Sequence, residues 1–279
     1  MLWVSLVNEG YVPFAKHFIQ NVRALFGERS ATFPLLIACT HVAAFDALKG
    51  LWDACILLCP HDPSKCEPDR PLAHSRCPLV APSLHASLSD LMTYGSATYK
   101  QIVFAKLDVM AAATLVAAEM GCRAAAFIDF DVALLQDPTG PIADLLRQHP
   151  DVSVFAQCDE QSRQHCSSRD KCPWMCSGVL AFRCRDRDLF KAAFDYDAKD
   201  FFREGDQSHL LHRFNALRVR RLSLDRTLFP NGQAARVSAG RQDDVASSAV
   251  LVHFNWLRAA EKVPTMKAWR LWYGESCES

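Results

Sequence analysis

Two kinds of hydrophobic pattern alternate along the first part of the chain. Short, almost continuous apolar runs at residues 2–7, 33–39 and 54–58 read as strands buried on both faces. Between them, apolar positions recur at helical spacing. Phe14, Phe18, Val22 and Leu25 share one face of a predicted helix over residues 13–26, and a second helix is predicted over 41–51. This β-α-β-α-β order predicts a parallel sheet with right-handed crossovers, in which ligands bind beyond the carboxyl ends of the strands. Asn8 and Tyr11 follow the first strand, where a nucleotide base would sit, although a turn-former and a residue packed on the next helix would suit the same positions.

Residues 60–82 are rich in Pro, Asp and Cys without periodicity and read as a loop. A helix over 101–120, with Ile102, Leu107, Met110 and Leu115 as its buried face and Gly121 as its stop, leads into an apolar run at 124–135. Further on, the pattern predicts helices at 142–148, 187–194 and from Gly205 through Phe214, with Asp206 near the positive end of the last. It predicts strands at 152–156 and 177–182, an edge strand at 217–224 and a final strand at 250–256. Gly178 would let a ligand or another backbone come close to its strand. No repeat, low-complexity tract or linker interrupts the chain, so residues 1–279 are expected to form one domain.

The run at 124–135 contains Asp129-Phe130-Asp131. If it is extended throughout, the two carboxylates share a side and Phe130 faces the other way. Carboxylates converging in apolar surroundings repel unless a cation lies between them. Mg²⁺ or Mn²⁺, held by one or two carboxylates and completed by substrate phosphates and water, would satisfy such a pair. A pair of solvated turn carboxylates fits this short motif as well, and the rest of the chain has to decide.

Composition narrows the choice. The chain has 279 residues, half of them hydrophobic, with a formal net charge of zero. That balance argues against a protein whose main task is to neutralise nucleic-acid phosphates. No run approaches the ~18 apolar residues of a membrane helix, and the first residues lack the basic region of a signal peptide. Nine of the twelve cysteines cluster within 55–77 and 158–184. The second group, with His165, could hold zinc, but its spacings lack the tight C-x₂-C of a zinc knuckle, and disulfides or buried thiols are favoured over it.

The ordered motifs resemble the plant-type nucleotide-diphospho-sugar transferase family of retaining GT-A glycosyltransferases. They are Leu6-Val7-Asn8-Glu9-Gly10-Tyr11, Tyr94-Gly95-Ser96 with Lys106, Phe127-Ile128-Asp129-Phe130-Asp131-Val132 with Asp137-Pro138, Asp206-Gln207, Phe229-Pro230-Asn231-Gly232, and His253-Phe254-Asn255-Trp256 with Lys262 and Met266-Lys267. The resemblance implies an α/β, Rossmann-like fold with a mostly parallel central sheet and flanking helices. It implies a UDP-sugar donor, a glycan or glycoprotein hydroxyl as acceptor, and Mn²⁺, with Mg²⁺ possible, held by Asp129, Asp131 and His253. Asn8 and Tyr11 would meet the base and ribose. Phe130 and Asn255 lie within the motifs that bind the donor, and Lys106 with Lys262 or Lys267 would oppose the charge of the departing UDP. Asp206 and Gln207 would line the reacting carbon, and Trp256 would stack on or wall the acceptor. Retention implies either a front-face displacement or a covalent intermediate on Asp206 or Gln207.

Two departures stand out. Cys176-Ser177-Gly178 replaces an Asn-Thr-Gly or Asn-Ala-Gly run, and Ala259-Ala260 lies where a glycine commonly follows the Asn-Trp. Two other readings use the same residues. A haloacid-dehalogenase-type phosphatase would use the Asp-x-Asp strand with Asp243-Asp244, and a catalytically silent nucleotide-sugar-binding module would use the same scaffold. The compartment stays open: cytoplasm if the chain is complete, Golgi lumen if an N-terminal anchor precedes it.

Overall fold

Both faces of the central strands are apolar, and both are covered. In β1 (Leu2–Val7) Trp3 and Val7 enter one core while Leu2, Val4 and Leu6 enter the other. In β6 (Ala124–Ile128) Ala124, Ala126 and Ile128 divide from Ala125 and Phe127 in the same way. A period of two with two buried sides is what a sheet clad by helices requires. The computed structural model describes residues 1–60, 80–81, 97–159, 175–197, 200, 205–232, 245 and 247–273. Tyr94-Gly95-Ser96, Asp243-Asp244, residues 160–174 and most of the predicted loop at 60–82 lie outside the described residues.

The remaining strands are β2 (Leu35–Cys39), β3 (Cys55–Leu57), β4 (Cys59–Pro60), β5 (Val80–Ala81), β7 (Val132–Leu134), β8 (Val154–Cys158), β9 (Met175–Arg183), β10 (Arg221–Ser223) and β11 (Leu251–His253). Seven of them form one sheet in the order β10-β8-β9-β6-β1-β2-β3. Every neighbouring pair is parallel except those of β9, which runs antiparallel to both β6 and β8. Helices α1 (Val12–Phe26), α2 (Val42–Leu48), α3 (Ala97–Glu119), α4 (Thr139–Gln148), α5 (Arg187–Ala193), α6 (Asp206–Ala216) and α7 (Ala259–Ala268) flank it. The mostly parallel, single-domain α/β architecture matches the expectation.

Three differences from the pattern reading carry physical content. The apolar run at 124–135 is not one strand. β6 stops at Ile128, Asp129-Phe130-Asp131 turns, and β7 pairs antiparallel with β11 in a separate ribbon. Buried Asn21 on α1 holds β7 there: its amide donates to the Leu134 carbonyl (2.9 Å), and its side-chain oxygen accepts the Leu134 N–H (2.6 Å). Next, α3 spreads its apolar residues around its axis, and residues Tyr99–Glu119 are long and apolar enough to cross a membrane by length and composition, contrary to the expectation that no such run exists. Half of that span is buried against the fold. Leu107 and Met110 face the core, but Leu115 is exposed, because apolar residues spread around the helix give periodicity little to choose between. Finally, the pattern reading placed no element after the strand at 250–256, yet α7 forms there and continues through Pro264.

The cysteines divide. Cys39, Cys55, Cys122, Cys176 and Cys184 are free thiols, and Cys158 is disulfide-bonded.

Candidate active site

The turn after β6 brings the two carboxylates together at the carboxyl edge of the sheet. The Asp129 N–H still donates to the Gly178 carbonyl (2.8 Å), which extends the β6–β9 pairing by one residue. Phe130 turns away and packs edge-on against Phe18 at 5.6 Å. Asp131 then enters the β7–β11 ribbon, where the Phe254 N–H donates to its carbonyl (2.8 Å) and Val132 lies opposite His253. That register sets the imidazole beside both carboxylates. Asp129, Asp131 and His253 offer ligand atoms within 4.8 Å of one another.

His253 is the informative member. It is buried, with Nε2 3.2 Å from Asp131 Oδ1 and 3.9 Å from Asp129 Oδ2, yet Nε2 makes no aligned hydrogen bond. Its other nitrogen is engaged. Gln157 Nε2 donates to the carbonyls of Phe229 and Pro230 (3.0 Å each), so Gln157 Oε1 must face His253 Nδ1 at 2.7 Å and accept its proton. The free Nε2 is thus aimed between two carboxylates. Without a cation, burial acts to lower the imidazole pKa, but Asp131 overrides it and raises the value to about 10. Burial likewise acts to raise Asp131, but Lys262 and His253 hold it well below the usual carboxylate range. Two oxygens and one nitrogen with an outer-shell amide fixing the tautomer suit a divalent ion. Gly178 completes the cradle: a Cβ there would lie 2.3 Å from His253 Cε1 and 2.5 Å from Asp129 Oδ2.

Each carboxylate also carries a lysine. Lys106, from α3, lies 2.8 Å from Asp129 Oδ1 and 2.9 Å from Oδ2. Lys262, from α7, lies 2.5 Å from Asp131 Oδ2 and 5.7 Å from the centre of the Tyr11 ring. Both ammonium pKa values are raised: burial opposes this, and the adjacent Asp129 and Asp131 respectively outweigh it.

One cavity of about 130 Å³ gathers Asn8, Tyr11, Lys106, Asp129, Phe130, Asp131, His253, Asn255 and Lys262. Asn8 is buried and caps the turn that presents Tyr11, accepting the Tyr11 N–H at 3.1 Å. Asp206 and Gln207 stand beside this cavity at the start of α6 without lining it. Burial raises the Asp206 carboxyl, Lys106 partly opposes this, and Asp206 Oδ2 is buried without a partner. Gln207 donates to Asp159 Oδ2 (2.6 Å), and Asn255 donates to Asp159 Oδ1 (2.9 Å), so Asp159 links the two motifs. Cys176 Sγ accepts from the Asn255 amide (3.5 Å) and the Gly178 N–H (3.4 Å), so this residue braces the loop. Trp256 is half-buried. Lys267 is exposed and does not reach the cavity, because five residues after Lys262 it lies on the far side of α7.

Sequence reasoning passed over Gln157, Asp159 and Tyr99. A single glutamine in the buried run Val154-Phe155-Ala156-Gln157-Cys158 was the available signal, since a polar side chain buried in a strand needs a partner.

No family model matches the sequence, and no curated protein matches it. Solved structures do. The galactosyltransferase LgtC, determined with donor and acceptor sugar analogues, aligns with 100% of this chain and 97% of its own at 12% identity and a TM-score of 0.54. A glycosyltransferase involved in glycosylation of the major capsid of PBCV-1 aligns over 96% of this chain and 100% of its own, at 11% identity and a TM-score of 0.51. The glycosyltransferase GlyE of Streptococcus pneumoniae TIGR4 aligns over 98% of this chain and 60% of its own, at 12% identity and a TM-score of 0.50. The chain has the GT-A fold. Nothing in that architecture favours the phosphatase reading, and the acidic pair that reading needs, Asp243-Asp244, lies outside the described residues.

Proposed function

We propose that this protein is a glycosyltransferase that moves a sugar from a UDP-sugar to a hydroxyl of a glycan or glycoprotein, with retention of configuration and with Mn²⁺. The order of its motifs favours the plant-type nucleotide-diphospho-sugar transferase family. The observation that carries the reading is the buried, unpartnered Nε2 of His253 facing two carboxylates, in a cleft that also holds two lysines.

Asp129, Asp131 and His253 would hold the ion, which when bound supplies Lewis-acid stabilisation of the diphosphate leaving group. The chain's own groups do the rest. Asn8 and Tyr11, at the end of β1, form the wall against which a base and ribose would rest. Lys106 and Lys262 place positive charge where the leaving group gains negative charge, in a site with little water to screen it. Asp206 Oδ2, buried and unpartnered, is an acceptor suited to a sugar hydroxyl. The Gln207 carboxamide is pinned by Asp159 and by the Ser177 N–H (3.3 Å), so it meets the reacting carbon in one orientation.

A thermal-shift panel of UDP- and GDP-sugars with and without Mn²⁺ tests this reading. One or more UDP-sugars should raise the melting temperature only when Mn²⁺ is present, and the active donor should release UDP when acceptor is added. Stabilisation by nucleotide sugars without any metal dependence would overturn it.

A further inference from the structure

Tyr11 is held from two sides. Within the cleft, Lys262 Nζ lies 5.7 Å from the centre of its ring. Away from the cleft a file of aromatic rings leads from Tyr11 to the chain beyond α7. Tyr11 lies 5.3 Å from Phe14, and Phe14 meets Trp272 edge to face at 5.6 Å and 84°. Trp272 in turn stacks on His17 at 4.7 Å with 7° between the planes, and Tyr273 stacks on the same imidazole at 5.8 Å. Phe14 and His17 are both buried and share one face of α1, so a single indole spans them. The Tyr273 N–H donates to His17 Nδ1 (3.0 Å), which places the imidazole proton on Nε2. Burial lowers the His17 pKa to about 4, so the ring stays neutral and Nδ1 stays an acceptor at neutral pH.

The end of α7 explains how Trp272 reaches α1. Arg270 has φ 57°, in the left-handed region. The N–H groups of Arg270 and Leu271 donate to the carbonyls of Lys267 (2.9 Å) and Met266 (2.8 Å). This pair of bonds is the Schellman motif, which closes a helix and redirects the chain, and Leu271 and Met266 bury in the same core beside it. Since α7 also carries Lys262, α1 and α7 are tied twice. Tyr11 and Lys262 join them inside the cleft, and Phe14 and His17 join Trp272 and Tyr273 outside it.

Building on the reading above, we propose that Trp272 and Tyr273 are positioning residues for the nucleoside half of the donor. They act through Phe14 and His17, which set the first turns of α1 and with them the height and tilt of the Tyr11 ring. Aromatic neighbours favour particular distances and angles, so a file of rings transmits orientation and not only bulk. The candidate metal ligands stand elsewhere, on the turn after β6 and on β11. Loss of the file should therefore fall on the nucleoside and spare the diphosphate.

Calorimetric titration of the full chain with UDP and with inorganic pyrophosphate, each in the presence of MnCl₂, tests this, because pyrophosphate has the two phosphates without the nucleoside. Trp272→Ala removes the contacts to Phe14 and His17, and should weaken UDP about tenfold while leaving pyrophosphate affinity unchanged. Trp272→Phe keeps a ring there and should recover most of that loss. Phe14→Leu breaks the link between Trp272 and Tyr11 while keeping an apolar side chain. It should show the same split, and it decides the question if Trp272→Ala does not fold. Equal weakening of UDP and pyrophosphate would make the rings a support for the whole cleft, and unchanged UDP affinity would make them packing alone. Either result overturns the proposal and leaves the metal site standing. If the wild type binds neither ligand, the glycosyltransferase reading falls first and takes this proposal with it.

Discussion

Strand β9 carries two buried polar clusters, one in its first half and one at its last residue, and the two are built on opposite plans. At its last residue, the Arg183 guanidinium donates to the carbonyls of Val152 (2.5 Å), His149 (2.6 Å) and Leu146. These carbonyls come from the last turn of α4 and the chain just beyond it, where a helix offers unpaired acceptors and partial negative charge. The charge there is met by backbone carbonyls. In its first half, Gly178 presses against His253 and Asp129, and the cluster keeps buried atoms without partners, His253 Nε2 and, nearby, Asp206 Oδ2. Both clusters contain ionisable groups removed from water, so burial of charge alone does not mark a site. What distinguishes the cleft is that its hydrogen bonding is incomplete in a direction that points into a cavity.

The contrast predicts separable effects from substitutions on one strand. Arg183→Met takes the side-chain donor from the Leu146 and Val152 carbonyls and leaves His149 only the Val152 N–H, and the protein should lose about 3 kcal/mol of stability in urea denaturation. Its Mn²⁺ affinity, measured well below the unfolding transition, should not change. Gly178→Ala drives a methyl group into the imidazole and the Asp129 carboxylate. It should reduce Mn²⁺ affinity on the order of 100-fold with a smaller loss of stability than Arg183→Met. If the two variants behaved alike, both clusters would be structural. The smallest expected effect is at the outer shell. Gln157→Leu removes the acceptor that keeps the proton on His253 Nδ1, and should weaken Mn²⁺ by about tenfold. Gln157→Glu, which keeps an acceptor there, should restore most of that loss in the same titration. Equal weakening in both Gln157 variants would mean that the residue only packs.

Much of this site was legible in the sequence because its parts are local. Asp129 and Asp131 stand at the end of a buried apolar run, and Asn8 follows another, so strand patterning alone put them at one edge of the sheet. His253 was legible as the polar end of the last apolar run. What makes these residues a site depends on contacts between distant parts of the chain. Lys262 reaches Asp131 across 131 residues, from a helix whose Pro264 hides it from pattern reading. Gln157 joins His253 to the Phe229-Pro230 turn through hydrogen bonds whose direction no spacing reveals. The break between β6 and β7 was hidden for another reason. Both sides of the turn are buried apolar runs, and Asp129 and Asp131 at the bend fit the alternation of one continuous strand. Even Phe130, inside the turn, packs in the core. Lys267 shows the converse: motif proximity placed it at the phosphates, and helical geometry turned it outward.

The central claim is a divalent ion held jointly by the turn after β6 and by the end of β11. A crystal grown with MnCl₂ and UDP, with data collected near the manganese absorption edge, tests it most directly. The account predicts a single anomalous peak bounded by Asp129, Asp131 and His253 Nε2, with the diphosphate on its open side. UDP bound in the cleft with no peak there, and His253 still facing bare carboxylates, would contradict it.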